Sequence, residues 1–463
     1  MFSMIRIKLL TVCCLFLFLY SCKKEGEVKT ISLSLNPTQQ RLALPKRFIG
    51  LSYEMTEITS PSYFSPDNAT LIQLIKNLGD GVLRIGASGV DRTYWTNSPR
   101  SSSSPDNSIT TSDVDRFAAF DKQIDWPVIF GLNLADYSPG TAANEATYVS
   151  NKLGSSLMDF EIGNEPDTYE QVKYRSPGYN YSKFKVQFDA YVKAIRGVVP
   201  DAPVSGPDIS HNTNWCTSFA ADEKNTSKLL TAHHYGMNPY NGPSIGELLG
   251  SETSLEGLCQ QLEAAASSNG MLYRIAECNS AYSGGVPGIS NAYASALWGL
   301  DMMWTIVSHG GSGVNFHGGD NGVYTPIALV NGSYIARPLY YGMMAFEAGA
   351  QGNIITVNSD THGLNIKAYA AVAADSSLWL TVINKTAANS VTLQVNAGRT
   401  ISKLDVQRLQ GPGLNATDRI TFAGGIIGQD GTFTASDIEH YLANENSFTL
   451  NLPSASAAVI HMQ

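Results

Sequence analysis

Leu157-Met158-Asp159-Phe160-Glu161-Ile162-Gly163-Asn164-Glu165-Pro166-Asp167 reads as a short apolar strand that stops at Gly163 and delivers Asn164, Glu165 and Asp167 just beyond its end. Seven further apolar runs share this layout: Phe48–Glu54, Val82–Ser88, Pro127–Asn133, Pro203–Ile209, Leu229–Tyr235, Tyr273–Asn279 and Gly313–Gly318. Between them lie amphipathic stretches with helical spacing, at Asn68–Leu78, Ser112–Gln123, Ala143–Lys152, Tyr181–Val198, Ser254–Ala266 and Ile289–Ser308. Only the span between the fifth and sixth strands lacks a clear helix. Eight strands alternating with helices predict an α/β fold, a (β/α)8 TIM barrel over residues 47–337.

Outward from the barrel the texture changes. Residues 338–463 alternate Val, Thr, Leu and Ile between turn signals, as in Ser377–Asn384, Ser390–Val395 and Lys403–Leu409, which predicts a C-terminal all-β sandwich. The alternating stretch Thr30–Leu35, within a connector at residues 22–46, is expected to join that sandwich. Residues 1–21 place Arg6 and Lys8 before the apolar run Leu9–Tyr20, which is too short to span a bilayer and reads as an export signal. Leu19-Tyr20-Ser21-Cys22 resembles a bacterial lipobox, so Cys22 is expected to carry lipid and anchor the exported protein to the membrane, most simply the outer membrane.

Of 463 residues, 43% are hydrophobic and 15% charged, a balance that fits a large core and excludes bulk disorder. The net charge is −9, and more negative once the segment bearing Arg6 and Lys8 is removed. Such a chain is poorly suited to nucleic acid or to gripping a long polyanion, so membrane contact is expected through the anchor alone. Cys216, Cys259 and Cys278 are too few for a disulfide framework, and no Cys/His spacing points to a metal or cofactor. Nothing in the sequence bears on oligomeric state.

In a (β/α)8 barrel the chemistry sits at the C-terminal ends of the strands. Glu165 ends the fourth strand and Glu277 the seventh, facing each other across the mouth, while Glu54, Asn133, His233-His234-Tyr235 and His317–Asn321 lie on the same rim. Two opposed carboxylates are what glycosidic bond cleavage requires: one protonates the leaving oxygen, the other attacks the sugar or activates water. Arg84 and Glu161 share inward parity and are expected to form a buried ion pair below the site. Cys278, next to Glu277, is expected to face the helices as an apolar filler, and one of His233 and His234 to line the cleft.

Phe48-Ile-Gly-Leu-Ser-Tyr-Glu54, Leu83-Arg-Ile-Gly-Ala87, Asp159-Phe-Glu-Ile-Gly-Asn-Glu-Pro-Asp167, Ala276-Glu-Cys-Asn-Ser280, Asn315-Phe-His-Gly-Gly319, Tyr324-Thr-Pro-Ile327 and Arg337-Pro-Leu-Tyr-Tyr-Gly342 resemble glycoside hydrolase family 79. That family of bacterial β-glucuronidases and heparanases lies within the clan of retaining (β/α)8-barrel glycosidases. The resemblance implies that Glu165 is the acid/base and Glu277 the nucleophile. It further implies that Asn164 meets the sugar 2-hydroxyl, and that Glu54 and Asn133 bind other hydroxyls. Tyr235, Tyr282 and Tyr324, with backbone amides near Gly322–Val323, would hold a uronate carboxylate. Ala87 stands where the family has a second glycine, a change expected to crowd the loop slightly. The function implied is a retaining exo-β-glucuronidase acting on a carbohydrate partner. Its rivals are a glycosidase for 4-O-methylglucuronate or a neutral sugar, and a non-catalytic glycan-binding lipoprotein.

Overall fold

The computed structural model describes residues 29–250, 253–319 and 322–463. The export signal, Cys22, Asp320 and Asn321 lie outside the described residues. The chain begins with β1 (Lys29–Ala43), then enters eight strands: β2 (Gly50–Glu54), β3 (Val82–Gly86), β4 (Val128–Leu132), β5 (Leu157–Ile162), β6 (Val204–Ile209), β7 (Leu229–Met237), β8 (Leu272–Ala281) and β9 (Val314–His317). These close into a parallel barrel in chain order, β9 pairing back on β2 through Phe316 opposite Leu51. Strands β3, β4 and β6 are buried along their whole length, as strands of a barrel wrapped by helices must be.

Among the described residues, eight helices of two turns or more cover the barrel: α1 (Ala69–Lys76), α2 (Thr111–Ile124), α3 (Pro139–Leu153), α4 (Tyr181–Arg196), α5 (Thr213–Glu223), α6 (Thr253–Ser268), α7 (Ala294–Ser308) and α8 (Pro338–Gly349). Helix α4 buries Phe184, Phe188, Tyr191, Val192 and Ile195, one stripe at helical spacing, and Asn180 caps its N-terminus. Two helices escape the sequence reading. In α5 the apolar stripe Trp215, Cys216, Phe219 and Ala220 is broken up by small polar residues. In α8 almost every side chain is buried, so no polar face marks its period. Helix α8 packs into the barrel core, and its Tyr340 hydroxyl donates to the Leu74 carbonyl of α1 at 2.6 Å. Helix α8 thus continues the helical layer past residue 337.

The C-terminal unit is a sandwich-like eight-stranded sheet with its own core. Its main strands are β10 (Asn353–Asp360), β11 (Ile366–Val372), β12 (Leu378–Asn384), β13 (Val391–Gln410), β14 (Ile438–Leu452) and β15 (Ser456–Met462). Strand β1 joins it as expected, antiparallel to β10 and parallel to the first part of β13, burying Ile31, Leu33 and Leu35. Helix α7 lies between the two units. Its Asp301 accepts from Tyr369 and from Lys385 of the sheet, at 2.6 Å each, and Trp304 stacks on Tyr369. Burial from both sides explains why α7 is apolar around its circumference.

Candidate active site

The Gly-Asn-Glu-Pro turn is dictated by space. Gly163 has φ +79°, and a Cβ there would lie 2.5 Å from the Tyr169 hydroxyl and 2.8 Å from Leu134. Buried Asp91 accepts from the amides of Leu134, Ala135 and Asn164 and from the Tyr169 hydroxyl, tying the ends of β4 and β5 together. Asp167 accepts from the amides of Ser210, His211 and Asn212, fixing the loop after β6. Glu165 itself sits at φ +49°, a conformation costly for a side-chain-bearing residue and stabilised here by the frame around it. Ala87 has φ +52°. The left-handed backbone there is costly for a residue with a Cβ.

Carboxylate oxygens of Glu165 and Glu277 lie within 4.8 Å of each other, with a His233 nitrogen in the same cluster. They open onto a cavity of about 920 Å³ whose walls include Glu54, Gln171, His211, Tyr235, Tyr282 and Tyr324. Glu277 is gripped from below. Arg84 donates to its Oε2 at 2.8 Å, the Tyr235 hydroxyl donates to its Oε1 at 2.7 Å, and His317 stands 4.0 Å away. Burial pushes its carboxyl up, but His317, His233 and Arg84 outweigh burial and hold it well below the ordinary range, so it is ionised.

Arg84 does more than pair with Glu161. Its guanidinium donates to Glu161 at 2.6 Å, Asp208 at 2.7 Å, Asn164 at 3.0 Å and Ser52 at 3.0 Å besides Glu277. His233 bonds Asp208 at 2.7 Å through Nε2 and Glu165 at 3.0 Å through Nδ1. Burial lowers its pKa, yet the charges of Asp208 and Glu277 raise it well above the ordinary imidazole range, which favours the protonated ring between the two carboxylates. Glu165, His233, Asp208, Arg84 and Glu277 thus form one continuous chain beneath the cavity. The Glu165–His233–Glu277 cluster is the one set of potential metal ligands among the described residues.

The expected sugar-binding residues divide. Tyr235, Tyr282 and Tyr324 line one wall, with ring centroids of Tyr282 and Tyr324 6.5 and 6.3 Å from Tyr235. Gly322 also lines it, but the Val323 amide is taken by the Gly284 carbonyl at 2.7 Å. Glu54 lines the cavity, accepting from the Gly89 amide, with His317 3.7 Å away. Asn164 is buried with its Oδ1 turned to Arg84. Asn133 stands outside the cavity: its Nδ2 donates to the Thr93 carbonyl and its Oδ1 accepts from the Asp136 amide, so it holds its own loop. Cys278 is fully buried in the apolar core, as expected. Asp208 and His317 complete the site without having been singled out as site residues; Asp208 lies at a bulge in β6, with φ +56° and a register shift between Pro207 and Ile209, so it turns inward against the alternation that aims Gly206 at Phe188 and Phe219.

No family model matches the chain. A β-glucuronidase of Aspergillus niger is 24% identical over 364 residues, 66% of this chain and 67% of that one. A β-glucuronidase of Neurospora crassa is 26% identical over 225 residues, and the match spans only 39% of its length. Among solved structures, a 4-O-α-L-rhamnosyl-β-D-glucuronidase from Fusarium oxysporum superposes with TM-score 0.76 at 19% identity, covering 92% of this chain and 99% of that one. An α-L-arabinofuranosidase from Thermotoga maritima gives TM-score 0.70 at 14% identity over 94% of this chain and all of that one. By these relatives, its barrel and its opposed carboxylates, the chain is a glycoside hydrolase.

Proposed function

We propose that the protein is a retaining β-glucuronidase that removes terminal β-linked glucuronate, with Glu165 as acid/base and Glu277 as nucleophile. The observation that carries the reading is the approach of the two carboxylates to within 4.8 Å beside a wall of three tyrosines. Double displacement uses carboxyl groups about 5–5.5 Å apart, whereas inversion leaves room for a water at about 6.5–9.5 Å. In the first step Glu165 gives its proton to the glycosidic oxygen while ionised Glu277 attacks the anomeric carbon and the leaving group departs. The glycosyl ester removes the Glu277 charge. Glu165, now a carboxylate held by His233, takes a proton from water, the water oxygen attacks the same carbon, and Glu277 leaves with its charge restored to Arg84 and Tyr235.

Tyrosine hydroxyls on one wall supply neutral donors for a uronate carboxylate, and both β-glucuronidase relatives and the motif resemblance to family 79 point to that sugar. No Lys or Arg lines the cavity among the described residues, which favours release of one terminal uronate over cleavage within a sulfated chain. A second reading is a glucuronate capped at O4. The cavity of about 920 Å³ has room beyond one ring, and the Fusarium neighbour acts on a rhamnosylated glucuronide. Export with a lipid on Cys22 completes the proposal.

Hydrolysis of a panel of aryl β-glycosides tests it. Wild type should cleave the glucuronide with retained anomeric configuration, Glu277→Gln should be inactive on every substrate, and Glu165→Gln should spare aglycones that leave without protonation. Turnover of glucosides alone overturns the sugar, and no turnover of any glycoside overturns the reading.

A further inference from the structure

A second cavity lies on the rim opposite the tyrosine wall. That wall comes from the loops after β7, β8 and β9, the sixth to eighth barrel strands. The second cavity is formed after β3 and β4, the second and third, together with α3. Its volume is about 180 Å³, the share of liquid volume taken by about six waters, and it is bounded by Tyr94, Trp95, Asp136, Thr141 and Glu145. Tyr94 and Asp136 are exposed, so its mouth is open.

Glu145 is the anomaly. Its side chain projects from α3 and is only 6% exposed, yet its carboxyl meets no hydrogen-bond or ion-pair partner among the described residues. A carboxyl on a cavity wall with no protein partner leaves its hydrogen-bonding capacity to whatever occupies the cavity. Its neighbours are dedicated elsewhere. The Asn133 amide is used within its loop, the Trp95 indole donates to Asn144 at 2.7 Å, and Ser138 and Thr141 share one hydrogen bond. Burial alone pushes the Glu145 carboxyl up to about 8, so near pH 7 its neutral form dominates and can both donate to and accept from hydroxyls. The loop that forms the inner edge, Asn133–Ala135, is tied through Asp91 to Asn164, beside the acid/base.

We infer that this cavity is a binding subsite for a neutral sugar ring of the leaving glycan, with Glu145 receiving ring hydroxyls and Tyr94 and Trp95 giving the apolar face. The inference rests on the glycosidase reading and adds to it which part of the substrate reaches beyond the catalytic cleft. Two acidic side chains and no basic one border the cavity, so an acidic sugar is disfavoured there.

Two measurements separate the possibilities. Calorimetric titration of the wild type with glucuronate-free disaccharides, namely lactose, cellobiose and xylobiose, should detect binding of at least one. That binding should weaken about tenfold or more in Glu145→Ala and in Tyr94→Ala, with Glu145→Gln intermediate. In parallel, the ratio of kcat/KM for a β-glucuronosyl trisaccharide with two neutral hexoses to that for the aryl β-glucuronide should fall by a similar factor, the aryl substrate being unaffected. Tyr94→Ala alters an exposed side chain and keeps the test valid should Glu145→Ala fold poorly. Absence of disaccharide binding to the wild type, or binding unchanged in both variants, overturns the subsite. Loss of all glucuronide turnover with disaccharide binding retained overturns the sugar assignment alone.

Discussion

Two arginines are buried inside the barrel, and they do opposite things. Arg84, near the catalytic mouth, is fully buried among Glu161, Asp208 and Glu277. Arg274, near the floor, is 1% exposed and meets no carboxylate among the described residues. It donates to the carbonyls of Phe48, Ile49 and Val314 and to the Asn315 side chain, and Gly313 leaves it room, since a Cβ there would lie 1.7 Å from its guanidinium. Around Arg84, burial opposes the charge but the three carboxylates hold its pKa well above the ordinary guanidinium value. For Arg274, burial among neutral dipoles brings it down to about 9. A buried cation among backbone carbonyls ties strand ends together. The same cation among carboxylates sets which of them is ionised, and so reaches into the chemistry.

The largest effect that tests this contrast is Arg84→Met. It should cost about 3–5 kcal/mol by leaving buried carboxylates unpaired, and kcat of the folded fraction should drop by about 10²–10³ as Glu277 loses a preorganised donor. Full activity per folded molecule would place Arg84 with Arg274 as a purely structural group. Arg274→Met should cost about 3 kcal/mol, read by chemical denaturation, since several buried carbonyls lose their donor, while kcat at 25 °C stays within about twofold. Loss of catalysis there would erase the distinction.

Smaller effects sharpen it. Tyr235→Phe removes the hydroxyl on Glu277 Oε1, so activity should fall about tenfold and the acid limb of the pH–rate profile should move up, because the ionised carboxylate has one donor fewer. Smallest is the pH dependence of stability. Asp159, raised to about 7, and Glu145, raised to about 8, are buried with no cation beside them, unlike the carboxylates around Arg84. The folded chain holds these protons where the unfolded chain has released them, so stability falls as pH rises from the unfolded carboxyl range through about 7–8. Burial opposes charge on His233 and His317 as well, but Glu277 with Asp208 or Glu54 raises both pKa values, and that stability too is lost above pH 6.5. Melting should occur about 2–5 °C lower at pH 8 than at pH 5, with a smaller drop in Asp159→Asn; a rise would contradict the assigned burial.

The sequence was most legible where one residue's surroundings lie within its own strand. All eight barrel strands, the recruitment of β1 and the placement of Glu165 and Glu277 follow from short apolar runs with polar ends. What it did not reveal depends on distant partners. Arg84 and Asp208 are 124 residues apart, and the ring His233 offers to both Asp208 and Glu165 exists only once β5, β6 and β7 stand side by side. Asn133 occupies the rim in sequence, yet the Thr93 carbonyl turns its amide away, a contact between two loops that strand parity does not encode. Helix α8 was missed because burial on both faces erases the period that reveals a helix.

Strand β1 gives the molecule an unusual order of assembly. Ser32 lies opposite both Asp360 and Gln394, so the first described strand finds its partners more than 300 residues downstream. Contacts of that span are slow to form because so much chain must be closed into a loop. Until β10 and β13 exist, Ile31, Leu33 and Leu35 alternate along a strand with no sheet to enter, the kind of segment that other chains capture. Strand β1 can consequently take its place in the sheet only once β10 and β13 are there to receive it.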